Sequence, residues 1–248
     1  MQVKIFKYNE INLDNINYSK PIDASLASSN EYKKGYHIIY VSYKYETNNV
    51  PLLIEIPSLQ LTDQYNEVKK ELLLPLSAKD NKHNKPLHDF FSELDKKFIK
   101  EITKILKLNK TISNKINSMS YNAVLKVSDE SDESYKNGVI QLKLSDNTDV
   151  YNANKEKLSS DKYSTYMNKE SYVGSIIEIT SILISQEQIM ITIKPHQLRV
   201  TLAIPKSVTL TEYSFGFDSE CSNKPDCSED SEKSSEQSEY EMSNEYSD

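Results

Sequence analysis

Hydrophobic and polar residues alternate with a two-residue period in the first half of the chain, as they do in β-strands. KKGYHIIYVSYKYE is rich in aromatic and β-branched residues, and the turn TNN joins it to the apolar run VPLLIEIPSLQL. This pattern predicts a β-hairpin over about 32–61. Pro51 and Pro57 place its second strand at a sheet edge or at a bulge.

A helical period replaces the alternation in LHDFFSELDKKFIKEITKILKL, where apolar residues recur every three or four positions. Pro86 suits a first helical turn, so we predict a helix over about 86–109. The apolar stripe consists of Leu87, Phe90, Phe91, Leu94, Phe98, Ile102, Ile105 and Leu106. The opposite face carries Lys96, Lys97, Lys100, Lys104 and Lys107. We interpret it as a solvated face, and a face that follows a nucleic-acid backbone is the alternative.

Four further strands are predicted after the helix. YNAVLKV (121–127) and NGVIQLKL (137–144) form a second hairpin by pattern. YVGSIIEITSILIS (172–185) and EQIMITIKPHQLRVTLAI (187–204) close the body. Between these pairs lies a polar insert, 145–171, whose length predicts a functional or mobile segment.

These elements predict a mainly β (α+β) fold with three parts. An N-terminal arm, 1–31, has a short strand in VKIFKY and is otherwise loop. A β domain, 32–217, carries the inserted amphipathic helix, and 218–248 is a tail. Several antiparallel strands with one helix fit an OB-like Greek-key barrel, and other α+β sandwiches fit the same count.

Charge is divided unevenly between the body and the tail. The chain has a formal charge of −7, but residues 218–248 hold 11 acidic residues and 2 lysines and therefore carry −9. Residues 1–217 then carry +2. Because the tail is highly charged and lacks aliphatic residues, we predict that it is disordered. An acidic tail tethered to a mildly basic body is typical of proteins whose tail interacts with partners.

Several classes of function are disfavoured. With only four glycines, no phosphate-binding loop or dinucleotide motif is present. Cys221 and Cys227 both lie in the tail, so neither is a nucleophile in the body, and this usage fits the cytosol or nucleus. The four histidines are scattered. No apolar run reaches the roughly 20 residues of a membrane span, and no apolar leader is seen. We therefore expect no catalysis, no cofactor, no metal and no membrane association.

Binding is better supported than catalysis, because lysines are interleaved with aromatic residues on the polar faces of several strands. Rings stack with bases and ammonium groups neutralise phosphates, so this pattern is typical of single-stranded nucleic-acid binding. The alternation places Ile39, Val41 and Tyr43 inside, as it does Ile140, Leu142 and Leu144 and also Ile189, Ile191 and Ile193. The candidate nucleic-acid-binding residues are Lys33, Lys34, Tyr36, Tyr40, Lys44, Lys143, Lys194 and Arg199, the only arginine. Tyrosine is also an ordinary strand residue, and that is the alternative.

The tail is the second candidate site. A flexible polyanion competes with nucleic acid for a basic groove, and when displaced it recruits partner proteins. The candidate partner-binding residues are Glu239, Tyr240, Glu241, Glu245, Tyr246 and Asp248. Ser228, Ser231, Ser235 and Ser238 lie beside acidic residues, where phosphorylation would add further charge. A merely solubilising tail is the alternative.

The layout of YNAVLKV, NGVIQLKL, the long insert, YVGSIIEITSILISQEQIMITIKPHQLRV and the acidic terminus resembles a known family. It is similar to the OB-fold single-stranded DNA-binding proteins of nucleocytoplasmic large DNA viruses, which are similar to the phage type with an acidic C-terminal tail. The resemblance implies sequence-independent binding of single-stranded DNA in viral replication or repair, with the tail contacting replication proteins. It also implies a location in the host cytoplasm, a virus factory or the nucleus.

Two other functions fit the sequence. One is a non-enzymatic virion structural or interaction protein with a β-rich body and a docking tail. The other is an RNA-binding variant of the same fold. The sequence does not determine the oligomeric state.

Overall fold

The fold is mainly β, with one long helix. The structure is a computed structural model that describes residues 3–24, 36–76, 84–108, 119–126, 138–185 and 187–202. Within these ranges the strands are β1 (Phe6–Lys7), β2 (Ile16–Tyr18), β3 (Ile22–Asp23), β4 (His37–Tyr45), β5 (Asn48–Val50), β6 (Leu52–Gln60), β7 (Glu71–Pro75), β8 (Ser120–Asn122), β9 (Leu125–Lys126), β10 (Val139–Lys143), β11 (Asp149–Tyr151), β12 (Tyr172–Ile184) and β13 (Gln188–Thr201). The helices are α1 (Asn84–Leu108) and the short α2 (Tyr163–Tyr166).

The antiparallel pair β12 and β13 forms the centre of the main sheet, as the sequence predicts. Val173, Ile177, Ile179 and Val200 are fully buried, whereas Ile191 and Ile193, which are also predicted to face inward, are half-buried against the core. The register between the two strands shifts after Ile176 and again after Ile179. Such bulges bend a strand and increase its twist. The surface of the pair that faces away from the core is therefore curved.

The predicted hairpin over 32–61 is confirmed only at its turn, since β4 pairs with the short β5, whereas β4 and β6 do not pair. The first half of β4 pairs with β12 at residues 181–184, and β6 pairs with β12 at residues 172–179. The thirteen residues of β12 are long enough to accept both strands end to end along one edge. Residues Tyr43–Tyr45 of β4 instead form a hairpin with the short strand β5. The register shift opposite Pro57 is the bulge that this proline predicts.

The N-terminal arm, 1–31, and the insert, 145–171, both contribute to the β core, which the sequence pattern did not predict. Within 1–31, β1 pairs with β6 and β2 pairs with β4, and Phe6 and Ile16 are buried. The insert 145–171 is part of the body rather than an appendage. Its strand β11 pairs in parallel with β13, and its side chains Val150, Leu158 and Met167 are buried in the main core. Widely spaced single apolar residues held in place by turns give no periodic signal, which is why the pattern missed them.

A smaller sheet of three described strands, in the order β7–β10–β9, packs nearby. The pairing of β9 with β10 is the core of the predicted second hairpin. Gly138 precedes β10 with φ of 89°, and a Cβ there would meet Leu125 Cδ1 at 2.7 Å. Only glycine adopts this conformation without strain. Ile140, Leu142 and Leu144 point inward, as predicted.

Helix α1 begins and ends close to the predicted limits of 86–109 and buries most of the predicted stripe, with Phe90 and Ile105 half-buried. Phe91 and Phe98 are its largest buried side chains. Asp95 is buried too, and its carboxylate accepts hydrogen bonds from the backbone N–H groups of Val124 and Leu125 at 2.9 and 3.1 Å. Helix α1 is thereby tied to the residues between β8 and β9.

The described strands form a ten-stranded sheet and the three-stranded sheet, and they do not close into a barrel. The described residues all belong to one compact unit, Met1–Pro205. The tail 218–248 lies outside the described residues.

Candidate nucleic-acid interface

The two faces of the main sheet differ in chemistry. One face packs on the main core through Ile39, Ile54 and Ile182. We call the opposite side the outer face. Directly paired residues share a face, so the cross-strand register assigns its members. From β4 they are Ile38 and Tyr40, from β12 Gly174, Ile176, Glu178, Ser181 and Leu183, and from β13 Met190, Thr192, Lys194, Gln197 and Arg199. Tyr36, which directly precedes β4, packs on the same side against Ile38.

Tyr36 and Tyr40 occupy the same end of the outer face but differ in burial. Tyr40 is 48% exposed and lies directly opposite Ser181. Tyr36 packs against a small cluster of Ala24, Ile38 and Leu183, to which Met190 also contributes. Ile38 is an apolar residue on this otherwise polar face, and it anchors a second apolar cluster. Tyr40 is available for stacking, whereas Tyr36 also has a packing role.

Lys194 lies in the middle of the outer face, opposite Glu178. Lys194 is exposed, but Glu178 pairs with His196, whose Nε2 lies 2.7 Å from Glu178 Oε2. His196 occupies the first bulge of the β12–β13 pair and so points to the same side as Glu178. Acidic and basic groups are therefore mixed at the centre of this face.

Arg199 lies at the far end of the outer face, beside a cleft of about 370 Å³. The cleft spans four strands, with Glu55 of β6 on one wall and Gln197 and Arg199 of β13 on the other. Gly174 and Ile176 of β12 lie between these walls. A Cβ at Gly174 would come within 3.1 Å of Ser58 Oγ, so the missing side chain keeps this part of the cleft open.

Strand β11 adds an aromatic ring and a cation to this cleft. Its Tyr151 is directly opposite Arg199, and Lys155 follows in a turn with φ of 65°. Asn152 holds that turn, since its Oδ1 accepts hydrogen bonds from the N–H groups of residues 154 and 156. Asp149 is paired with Lys157 at 2.6 Å, and this hydrogen bond keeps the pKa of Asp149 below its ordinary value.

Lys143 lies on the smaller sheet rather than on the outer face. It lines a groove of about 290 Å³ together with Thr192 and Met190, so it borders the outer face from the side. Lys126 lines the same groove and donates a hydrogen bond to Gln141. Lys44 is exposed on the same side of β4 as Tyr40, at a point where the partner of β4 is β5.

The structure therefore brings Tyr36, Tyr40, Lys194 and Arg199 onto one face, with Lys44 and Lys143 at its borders. Lys33 and Lys34 lie outside the described residues, as do Glu239, Tyr240, Glu241, Glu245, Tyr246 and Asp248 of the tail. Sequence reasoning missed Glu55, Tyr151, Lys155 and Gln197. These residues come together only because β11 pairs in parallel with β13 and β6 pairs with β12. No local sequence pattern predicts either pairing.

No group of three or more His, Cys, Asp or Glu side chains that could hold a metal ion occurs in the described part of the chain. Among the same residues, no helix is long and apolar enough to cross a membrane.

Comparisons with known proteins gave the following results. No protein-family model matches the chain, and no curated protein matches it. Among solved structures it is similar to the single-stranded DNA-binding protein from bacteriophage Enc34, with a TM-score of 0.35 and 17% identity over 73% of this chain and 89% of that one. A C-terminal truncation of the Enc34 protein gives a TM-score of 0.35 and 15% identity over 75% and 97%. The Enc34 protein in complex with ssDNA gives 0.33 and 15% over 68% and 91%.

Proposed function

We propose that this chain binds single-stranded DNA without sequence preference along most of its site and acts, without catalysis, in viral DNA replication or repair. The observation that carries the proposal is the outer face, where an exposed ring and separate cations line a single curved surface. The proposal places the protein in the host cytoplasm, a virus factory or the nucleus.

The dimensions of the outer face suit a single strand. From Met190 to Arg199 the strand β13 extends for about 30 Å at 3.3 Å per residue. This length fits the low end of the roughly 4–16 nucleotides that one OB domain covers. Tyr40 stacks on a base at one end, Lys194 contacts the backbone farther along, and Arg199 contacts the strand at the other end. Lys44 and Lys143 contact phosphates at the borders.

We also propose that the fold is of the OB type. An OB-like arrangement is supported by the long strand β4, which pairs with β12 through its first half and with β2 and β5 through its second. A strand shared in this way between two groups is a feature of partly open Greek-key barrels. In OB domains one strand face is the nucleic-acid surface, and the outer face corresponds to it in character.

The acidic tail has two roles in this proposal. Its formal charge of −9 lets it compete with DNA for the cations of the outer face. Once DNA displaces it, the tail is free to bind replication proteins through Glu239, Tyr240, Glu241, Glu245, Tyr246 and Asp248. Removal of residues 218–248 is expected to tighten DNA binding at low salt and to weaken recruitment of partners. Unchanged affinity after truncation would contradict competition while leaving recruitment intact.

Fluorescence anisotropy with a labelled oligo-dT tests the DNA-binding proposal directly. The full chain is expected to bind at low salt and to release DNA as salt rises, because phosphate contacts displace counterions. A matching RNA oligonucleotide shows whether the strand preference is for DNA. Failure to bind either oligonucleotide at low salt would overturn the proposal and favour an interaction protein that docks through its tail.

A further inference from the structure

The cleft beside Gly174 differs from the centre of the outer face, where Glu178 is paired with His196, because the acidic residue in its lining has no ion-pair partner among the described residues. The side chains of Glu55, Gln197, Arg199 and Lys155 all line it. Among the described residues, none of these four side chains forms an ion pair or a hydrogen bond. Unpaired polar groups that converge on one cleft make it a candidate binding site.

Glu55 indicates which group of a bound strand faces the cleft. It is exposed and carries a negative charge on a surface that we propose to contact phosphates, where a carboxylate weakens binding. A carboxylate has only acceptor oxygens, and in a nucleic-acid site its partners are the N–H donors of a base edge. The position of Glu55 therefore indicates that a base, and not a phosphate, faces this wall of the cleft.

The two walls have complementary chemistry. Glu55 and Gln197 each pair with Ile176, from opposite sides, so they are separated by two strand spacings, or about 10 Å. Arg199 pairs with Gly174, two residues along β12, so Glu55 and Arg199 face each other diagonally across about 12 Å, a gap that admits one flat base between them. Gly174 and the half-buried Ile176 provide an apolar floor on which the ring can lie. Arg199, on the Gln197 side, presents a fork of donors.

We propose that this cleft is a subsite for a single guanine base of the bound strand, an inference that rests on the proposed function. Guanine presents two adjacent donors, N1–H and the N2 amino group, which match the two oxygens of Glu55. Its O6 and N7 are both acceptors and match the guanidinium of Arg199, the commonest base-specific pairing of arginine. Adenine and cytosine each present a single amino donor group, and thymine presents a single N–H. None of these three bases therefore forms as many hydrogen bonds with the two walls as guanine does. The remainder of the outer face stays tolerant of sequence.

The test compares four oligonucleotides of about 12 residues, a length within the range that one such domain covers. Each is oligo-dT with one central position occupied by guanine, adenine, cytosine or thymine, and each competes with labelled oligo-dT for the full chain. The guanine oligonucleotide is expected to bind about tenfold more tightly than the other three, within the range that a good two-bond base contact supplies.

Glu55→Gln is the diagnostic variant, since it replaces one acceptor oxygen by a donor without changing the size of the side chain. It is expected to bring the affinity for the guanine oligonucleotide down to that for oligo-dT. Glu187→Gln, the same change at the exposed β12–β13 turn, is the matched control and is expected to keep the guanine preference. Gly174→Ala, which places a methyl group in the cleft, is expected to reduce the preference as Glu55→Gln does.

The outcomes separate this inference from the proposed function. Equal binding of all four oligonucleotides, or a guanine preference that survives Glu55→Gln, overturns the subsite and leaves single-stranded DNA binding in place. A preference for another base likewise overturns the guanine assignment. Failure to bind any of the four at low salt overturns the DNA-binding proposal together with the subsite.

Discussion

The Glu178 carboxylate lies 2.7 Å from the His196 imidazole in the middle of the outer face, directly across from Lys194. A partly exposed carboxylate at this position repels the phosphates of a bound strand. It also offsets part of the positive potential of Lys194, its neighbour across the strands. The pair therefore moderates the affinity of the surface.

Removing this charge is expected to tighten DNA binding. Glu178→Gln keeps a group able to bond to His196 and removes the repulsion, which near a protein surface is worth about 0.5–1 kcal/mol. The dissociation constant for oligo-dT is expected to fall about two- to fivefold at low salt and to change little at high salt. Glu67→Gln, on an exposed turn, serves as the control. An unchanged affinity at low salt would show that the strand does not pass over Glu178.

The two tyrosines at the other end of the face are expected to respond differently. Tyr40→Ala removes an exposed ring, so it should cost about 1–3 kcal/mol of DNA binding with little change in thermal stability. Tyr40→Phe keeps the ring and should retain most of the affinity. Tyr36→Ala removes a ring that packs on Ile38 and Leu183, so it should lower both the melting temperature and the affinity. A Tyr40→Ala protein that unfolds early but binds normally would assign this ring to packing instead.

The salt dependence of binding is expected to be shallow, because the described cations on or beside the outer face are few. Phosphate contacts from Lys44, Lys143 and Lys194 give a slope of about −2 for log K against log salt concentration, at about −0.7 per phosphate contact, since Arg199 faces a base in the cleft. Lys194→Gln should make the slope less steep by about 0.7. Lys85→Gln, at the start of α1, should leave it unchanged. A slope that is the same for the Lys194 variant and the wild type would exclude a phosphate contact at that residue.

The sequence predicted those parts of the fold that have their own periodicity. Helix α1, the pair β12–β13 and the inward residues Ile140 and Leu142 follow directly from spacing. Alternation also placed Tyr40 and Lys194 on polar faces, whereas Arg199 reaches the same face as Lys194 only because the bulge at His196 shifts the alternation. The pairing of β6 with β12 was not predictable in this way, because adjacency along the chain favours a hairpin and only the length of β12 permits two partners on one edge.

The sequence also could not predict the cleft, because the residues that line it come from distant segments of the chain. Glu55, Gln197 and Lys155 come from segments about 140 residues apart along the chain at their widest separation. Lys155 also lies in a polar segment without periodicity. Parallel pairing of β11 with β13 joins these segments, and parallel registers are set by tertiary packing rather than by a turn. The guanine subsite is consequently a proposal that only the structure could suggest.

The buried carboxylate of Asp95 is expected to be important for stability. Besides the two backbone N–H groups, the Tyr121 hydroxyl donates to it at 2.7 Å. Asp95→Ala leaves these three donors without an acceptor, which should cost about 3–5 kcal/mol of unfolding free energy. Asp89→Ala, at an exposed position of the same helix, should change stability by less than about 0.5 kcal/mol. Equal stabilities of the two variants in urea unfolding would show that the Asp95 contacts are not maintained in solution.

The same carboxyl predicts a pH dependence. Burial raises the pKa of Asp95 above its ordinary value of 3.8, and the hydrogen bonds from Val124, Leu125 and Tyr121 only partly offset this effect. The folded protein therefore keeps the Asp95 proton over a range in which the unfolded chain has lost it. The stability that this proton contributes is complete below the unfolded pKa and is lost as pH rises through the folded pKa. Asp95→Asn cannot titrate, so the free energy of unfolding of the wild type minus that of the variant isolates the effect from the other carboxyl groups. This difference is expected to fall as pH increases from 4 towards 7. A difference that rises over that range would mean that the folded state favours the charged form of Asp95.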